Sequence, residues 1–398
     1  MERAANGWVV VASAFALMFM GFGVAYSFAA FFNAFQSEFA ASRTHVSLVF
    51  SLCALLWFSI GVPGGMLADR FGPRGVCLAG VGFLAAGLAL AAYAPSVEML
   101  YLTYSIGVGV GIGLSYVPSV GAVQHWFVHN RALASGIAVA GIGAGNLLVP
   151  PLAAWWIGVF GWRGAYLALA LLTLAVALPA ALAVGARGTA HAARTARSPL
   201  PGMTLGEALR TTEFWLLYAV AVLICVGFFV PMVHLAAYAQ DVGYSEAQGV
   251  ALVSLLGLGS LIGRFAIGGI ADRLGHMRSL VAIGAGLGAL FLVWWVAQSF
   301  WLLALFAVAF GTLYGGFVAL APTLCMDLFG ARSVSGIIGC LYTAAGLGTL
   351  FGPTLAGAAF DAFGAYDAAI LGCAALSFSG AAIGLRLVRG RHEKGRAA

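Results

Sequence analysis

The hydrophobic positions of this chain fall in long unbroken runs separated by short polar breaks, and nowhere do they settle into the strict alternation of a half-buried strand. A bilayer core is crossed by about 20 apolar residues in a helix that rises 1.5 Å per residue. Twelve such runs can be drawn, at roughly 8–32, 46–68, 75–94, 98–125, 132–157, 163–185, 213–239, 246–269, 278–298, 300–326, 333–358 and 366–388. The pattern predicts an all-α membrane protein with twelve transmembrane helices.

The runs are not twelve independent solutions, because the polar breaks repeat. GGMLADRFGPR at Gly64 to Arg74 returns as GGIADRLGHMR at Gly268 to Arg278, and aligning Asp69 with Asp272 also superimposes Arg70 on Arg273 and Gly72 on Gly275. A nearby offset carries NRALASGIAVAGIGAG, from Asn130, onto ARSVSGIIGCLYTAAGLG, from Ala331. Two pseudo-repeated six-helix bundles are therefore expected, at 1–185 and 211–398, joined by an Ala-, Arg- and Pro-rich linker at 186–210 that lacks any apolar period. In repeat-built carriers the binding site lies near the midplane between the halves.

Composition agrees: 62% of residues are hydrophobic and 8% charged, against about 25% charged in soluble domains. The net charge of +6 does not point to nucleic acid. With an even number of spans both termini share a side, and that side collects nearly all the basic residues, leaving Arg43 and Arg163 opposite. Basic residues favour the cytoplasmic side, so both termini are expected in the cytoplasm. The first run is longer than a signal-peptide core and has no basic lead, so it is expected to remain as a span. The six cysteines are scattered in apolar runs without a CxxC pair, and no metal-ligand spacing, phosphate loop or catalytic triad occurs. No cofactor and no enzyme activity are expected.

One charge breaks the apolar rule. Arg264 sits inside SLLGLGSLIGRFAIGGIAD, while no Asp or Glu lies in the interior of any run. A guanidinium at that depth costs about 2.5–3.5 kcal/mol on insertion scales and is normally turned toward a partner or a cavity. Gly257, Ser260, Arg264 and Gly268 share one helical face, small and polar, that should look into the bundle. A bound anion could be the partner. Snorkelling or capture by main-chain carbonyls are the structural alternatives.

The loop Asp69-Arg70-x-Gly72-x-Arg74, preceded by Gly65 and echoed at Asp272 and Arg273, resembles the signature of the major facilitator superfamily. That resemblance covers nearly the whole chain. It implies that Asp69, Arg70, Arg74, Asp272 and Arg273 form a cytoplasmic gate. WFVHNRALASGIAVAGIGAG from Trp126, CMDLFGAR at Cys325 to Arg332, and Arg264 itself resemble the monocarboxylate transporter group, here as a bacterial homologue in an inner membrane. The resemblance implies that Arg264 binds the substrate carboxylate. The sequence departs from the group in lacking a span-one lysine near Ala30, in carrying Ser260 where mammalian members have an Asp, and in having His129 where Lys is common.

The expected function is secondary active transport of lactate- or pyruvate-like monocarboxylates by alternating access, with proton symport. Oxalate-type antiporters of the superfamily pair an Arg with a span-eleven Lys, whereas the only lysine here is Lys394 in the tail. One buried cation therefore fits a monoanion better than a dicarboxylate. An anion exchanger and, from another class, a non-transporting membrane sensor are the competing readings. Tyr26, Tyr116, Asn146, Tyr314 and Tyr342 are candidate second contacts to the substrate, or else packing residues. His234, three residues after Pro231, is the candidate proton carrier. Phe28, Phe31 and Phe228 are expected to be packing or lipid-facing, and Asp241, Glu246, Asp361 and Asp367 to be loop charges without a role.

Overall fold

A computed structural model describes residues 2–127, 131–184, 202–330 and 332–397. Most of the linker and His129 lie outside these. The helices are α1 (Glu2–Tyr26), α2 (Phe28–Phe39), α3 (Arg43–Phe71), α4 (Pro73–Ala91), α5 (Val97–Leu100), α6 (Ile106–Trp126), α7 (Arg131–Ala183), α8 (Leu205–Ala208), α9 (Thr212–Asp241), α10 (Glu246–Leu274), α11 (His276–Val296), α12 (Phe300–Phe329), α13 (Val334–Phe363) and α14 (Asp367–Ala397). A π-helical turn, Tyr101–Ser105, joins α5 to α6.

Among the described residues, eleven helical stretches are long and apolar enough to cross a membrane. One of them, Ala134–Ala183, has 50 residues, which at 1.5 Å per residue is more than twice a bilayer core. It is broken at Gly161, whose φ of 71° and ψ of 169° are not helical, so it crosses twice and the crossings number twelve. The first crossing is also divided, at the Ser27 turn between α1 and α2.

The repeat read from sequence appears as a repeated turn. Gly72 (φ 84°, ψ 148°) separates α3 from α4, and Gly275 (φ 89°, ψ 135°) separates α10 from α11. Both have the positive φ that glycine adopts without a Cβ penalty, and both accept the next helix immediately, so the two six-helix units reverse direction in the same way.

The main contacts between the halves are α3 along α13, the first part of α7 along α10, and α2 against α9. Within the second half α10 and α12 are in backbone contact. A Cβ on Gly259 or Gly263 would run into the carbonyl oxygens of Val308 and Thr312, and one on Gly311 or Gly315 into those of Leu256 and Ser260. Small residues four apart on both partners let membrane helices approach this closely. The consequence for function is that α10, which carries Arg264, is held rigidly at the turn where that side chain leaves it.

The helices run past the apolar limits drawn from sequence. The seventh and eleventh crossings, expected at 213–239 and 333–358, extend to Asp241 and Phe363. These added turns carry Asp241 and Asp361 to the face opposite the termini, here called the far face.

Candidate functional site

A cavity of about 60 Å³ lies between the halves. Phe22, Tyr26, Phe58, Tyr116 and Ile142 line it from the first half, and Arg264, Tyr314, Tyr342 and a set of apolar side chains from the second. Since a site for one water needs about 10–15 Å³ measured in this way, there is room for a small organic molecule.

Arg264 reaches this cavity in a defined pose. Its Nη1 donates to Ser260 Oγ, one turn earlier, at 3.0 Å. Its Nε and Nη2 are shut off from solvent and have no hydrogen-bond partner among the described residues. An unpaired buried N–H of a charged group is costly, and these two lie on the same edge of the planar fork. That edge matches the two oxygens of a carboxylate. The guanidinium neither snorkels to an interface nor caps main-chain carbonyls, so the alternatives left open by sequence are not what the structure adopts.

Four of the five predicted second contacts line the same cavity. Tyr26 and Tyr314, one from each half, share a hydrogen bond between hydroxyls at 2.9 Å. The Arg264 charge acts on the hydroxyls of Tyr26, Tyr116 and Tyr314, and Tyr116 and Tyr342 are within electrostatic reach of each other. Four phenols thus share the cavity wall with the guanidinium. Asn146 does not line the cavity. It lies where α7 crosses α10, its Cβ against the backbone of Gly257, with both amide atoms buried and unpartnered among the described residues. Phe228, expected to be packing or lipid-facing, is a wall of the cavity, packed edge-on against Tyr314 and Phe317. Phe28 and Phe31 are core residues, as expected.

His234 is fully buried and stands apart from the cavity, in a network that joins the halves at the far face. Its Nε2 is 2.9 Å from Pro353 O and 3.1 Å from Ser47 Oγ. A carbonyl only accepts, and Ser47 spends its proton on Arg43 O, so the network assigns the proton to Nε2. Nδ1 then accepts from the Tyr366 hydroxyl at 2.9 Å, which itself accepts from Arg43 Nη1 at 2.6 Å. Burial raises the Tyr366 phenol above its ordinary range, so it keeps the proton that it donates.

Arg43 is the centre of that network. Its guanidinium grips Asp241 through two bonds, at 2.6 and 2.7 Å, and lies 3.7 Å above the Phe360 ring. The backbone N–H groups of Arg43 and Thr44 both donate to the Asp361 carboxylate, at 3.0 and 2.9 Å. Asn33 donates to Gln240 at 2.6 Å and Thr354 to Ser51 at 3.0 Å. The reading of Asp241 and Asp361 as loop charges without a role is therefore corrected: both are inter-half partners, because their helices extend further than the apolar runs. Glu246 and Asp367 begin α10 and α14 on the same face, and Asp367 accepts from Trp295 Nε1. A sequence signal for the network existed in Arg43, Ser47 and Ser51, a polar stripe at helical spacing, but its partners lie about two to three hundred residues away.

On the face carrying the termini, Asp69, Arg70, Arg74 and Arg273 are exposed; the side chain of Asp272 is outside the described set. The halves are thus tied by hydrogen bonds from the cavity to the far face, while the repeated loops on the terminal face stand in the open.

Comparisons with known proteins identify the family. Residues 12–298 match the Major Facilitator Superfamily profile. Monocarboxylate transporter 13 of Bos taurus is 30% identical over 384 residues, covering 95% of this chain and 88% of that one. Monocarboxylate transporter 11 of Homo sapiens is 31% identical, covering 96% of this chain and 83% of its own. A solved bacterial homologue of the human lysosomal transporter Spinster, in an inward-facing and unoccupied conformation, superimposes with a TM-score of 0.69 at 17% identity, over 96% of this chain and 95% of that one, which speaks for the fold alone. The protein is a transporter and not an enzyme: a multi-pass membrane protein that belongs to the Major Facilitator Superfamily and, within it, to the monocarboxylate transporter family.

Proposed function

We propose that this protein carries small monocarboxylates across the membrane by alternating access, in symport with a proton. The observation that carries the reading is the free Nε–Nη2 edge of Arg264 facing a cavity between the halves. A single cation on an otherwise uncharged wall matches one carboxylate, and the names of the relatives point to the same cargo class. The basic residues put the terminal face in the cytoplasm. In that orientation the hydrogen-bonded far face is the closed, outer side, and Asp69, Arg70, Arg74, Asp272 and Arg273 form the gate that closes when the far face opens.

His234 supplies the proton site. As a neutral acceptor it completes the Tyr366–Arg43 chain. Protonated on Nδ1, it would lose that bond and place a second positive charge near Arg43, which is paired with Asp241 and Asp361. Proton uptake there favours separation of the halves at the far face, where the cargo enters.

Uptake into proteoliposomes, with and without an imposed pH gradient, tests the proposal. The expected result is accumulation driven by an acidic exterior, with uptake reduced about 100-fold in Arg264→Gln, the scale on which a charge-assisted bidentate contact is lost. Full uptake by a well-expressed Arg264→Gln protein discards the carboxylate site. Trans-stimulated uptake indifferent to the gradient makes the protein an exchanger instead.

A further inference from the structure

The halves also meet where the first part of α7 crosses α10, beside the cavity that Ile142 and Arg264 line. The two helices run antiparallel there, α7 entering from the terminal face and α10 from the far face, and they touch through backbone. A Cβ on Gly143 would stand 3.1 Å from Leu261 N, and one on Gly257 would stand 2.6 Å from Leu147 N and 2.9 Å from Asn146 Cβ. On its other side α7 is closed against α1, where a Cβ on Gly141 or Gly145 would run into the carbonyl oxygens of Phe15 and Phe19. α7 is therefore carried with the first half and α10 with the second. The Asn146–Gly257 contact lies on the far-face side of the Gly143–Leu261 contact, in the part of the crossing that separates when the far ends of the halves do.

Asn146 brings an ill-suited side chain to such a contact. An asparagine amide carries two N–H donors and an acceptor; this one belongs to a residue that is 1% exposed, and neither Nδ2 nor Oδ1 has a partner among the described residues. The hydroxyls one turn away on α10 are engaged elsewhere: Ser254 donates to Val250 O, and Ser260 accepts from Arg264. A buried amide that gives up water and gains no bond raises the energy of the arrangement that buries it. A leucine, of nearly the same shape, would not.

We infer, on the alternating-access reading given above, that Asn146 is a positioning residue for transport: its unpaired amide opposes the far-face-closed arrangement and is hydrated when the far ends separate. It thus offsets part of the Arg43–Asp241 grip and keeps the two arrangements close enough in energy to exchange. The ion pair favours closure at the far face, and the amide at the centre of the molecule works against it.

Asn146→Leu in the full-length protein tests this, with Asn146→Ala, which cannot overfill the crossing, as the deciding variant if leucine does not fold. Spin labels at Tyr93→Cys and Trp301→Cys report the far-face distance, in the parent protein and in Arg43→Ala, whose loosened far face populates the open form. The expected result is a shift of the population ratio toward the closed form by about tenfold, with slower proteoliposome uptake at saturating cargo. A shift toward the open form, as for an amide that has a partner in the closed arrangement, overturns the inference. So does the absence of any shift in a background that populates both forms, and either result leaves alternating access standing. A single label distance in the parent protein and in every variant defeats the alternating-access reading itself.

Discussion

Arg43 and Asp241 belong to different halves of the molecule, and two nearly parallel N–H···O bonds, at 2.6 and 2.7 Å, join them at the far face. The pair is a bidentate ion pair across the two halves. The Arg43 side chain is only 10% exposed, so its charge is far less screened than that of an ordinary surface pair.

Removing this grip should favour the alternative arrangement. Hydrogen bonds to charged groups contribute about 1.5–3 kcal/mol each, so Arg43→Ala is expected to shift the equilibrium toward the far-face-open form by about tenfold or more. Spin labels at Tyr93→Cys and Trp301→Cys, exposed sites on the far ends of the two halves, report it by distance distribution. A distribution unchanged from the parent protein would show that the ion pair does not hold the halves together.

Ser260 orients Arg264 without needing to touch the cargo. Ser260→Ala frees Nη1, lets the guanidinium rotate, and is expected to raise KM by about 3- to 10-fold with little change in kcat or fold, the size of one neutral-partner hydrogen bond. Measured kinetics that leave KM untouched would mean that packing alone fixes the fork.

Gly263 meets the carbonyl oxygen of Thr312 with no space for a side chain. Gly263→Leu must force α10 from α12. An overpacked core loses about 1–3 kcal/mol or more, so a lower thermal midpoint in detergent is expected, together with loss of binding as Arg264 is displaced. Wild-type stability in this variant would contradict the backbone contact.

His234 accepts from Tyr366 only while it is neutral. In the wild-type protein, lowering external pH should therefore open the far face, and in His234→Gln, which cannot take up a proton there, the same label distances should not respond to pH. Gradient-driven accumulation should disappear in that variant while cargo binding at Arg264 persists. Loss of binding as well would assign His234 a structural role.

The fold was largely legible in the chain because membrane helices must be apolar over their whole length, and a repeated loop announces a repeated unit. Arg264 was legible for a related reason: a lone cation in an apolar helix is conspicuous, and so were the tyrosines near the centres of their spans. Phe228 was not, because a phenylalanine facing a cavity and one facing lipid look the same in sequence. Asp241 and Asp361 were misread because hydropathy marks where a segment stops being greasy, not where its helix ends. Asn146 looked like a ligand contact and instead lies in a helix crossing, since polarity at the right depth does not specify the direction in which a side chain leaves its helix.

Tyr26 and Tyr314 join the halves at the cavity wall through their hydroxyls, and both are uncharged phenols. A hydrogen bond between such groups contributes only about 0.5–1.5 kcal/mol net, so thermal motion can open and reclose it often, while the Arg43–Asp241 clasp above it yields seldom. A pore with one weak door and one strong door in series leaks only as fast as the strong one permits. If the halves alternate as proposed above, the rate of turnover is then set at the rim of the molecule, well away from the cargo.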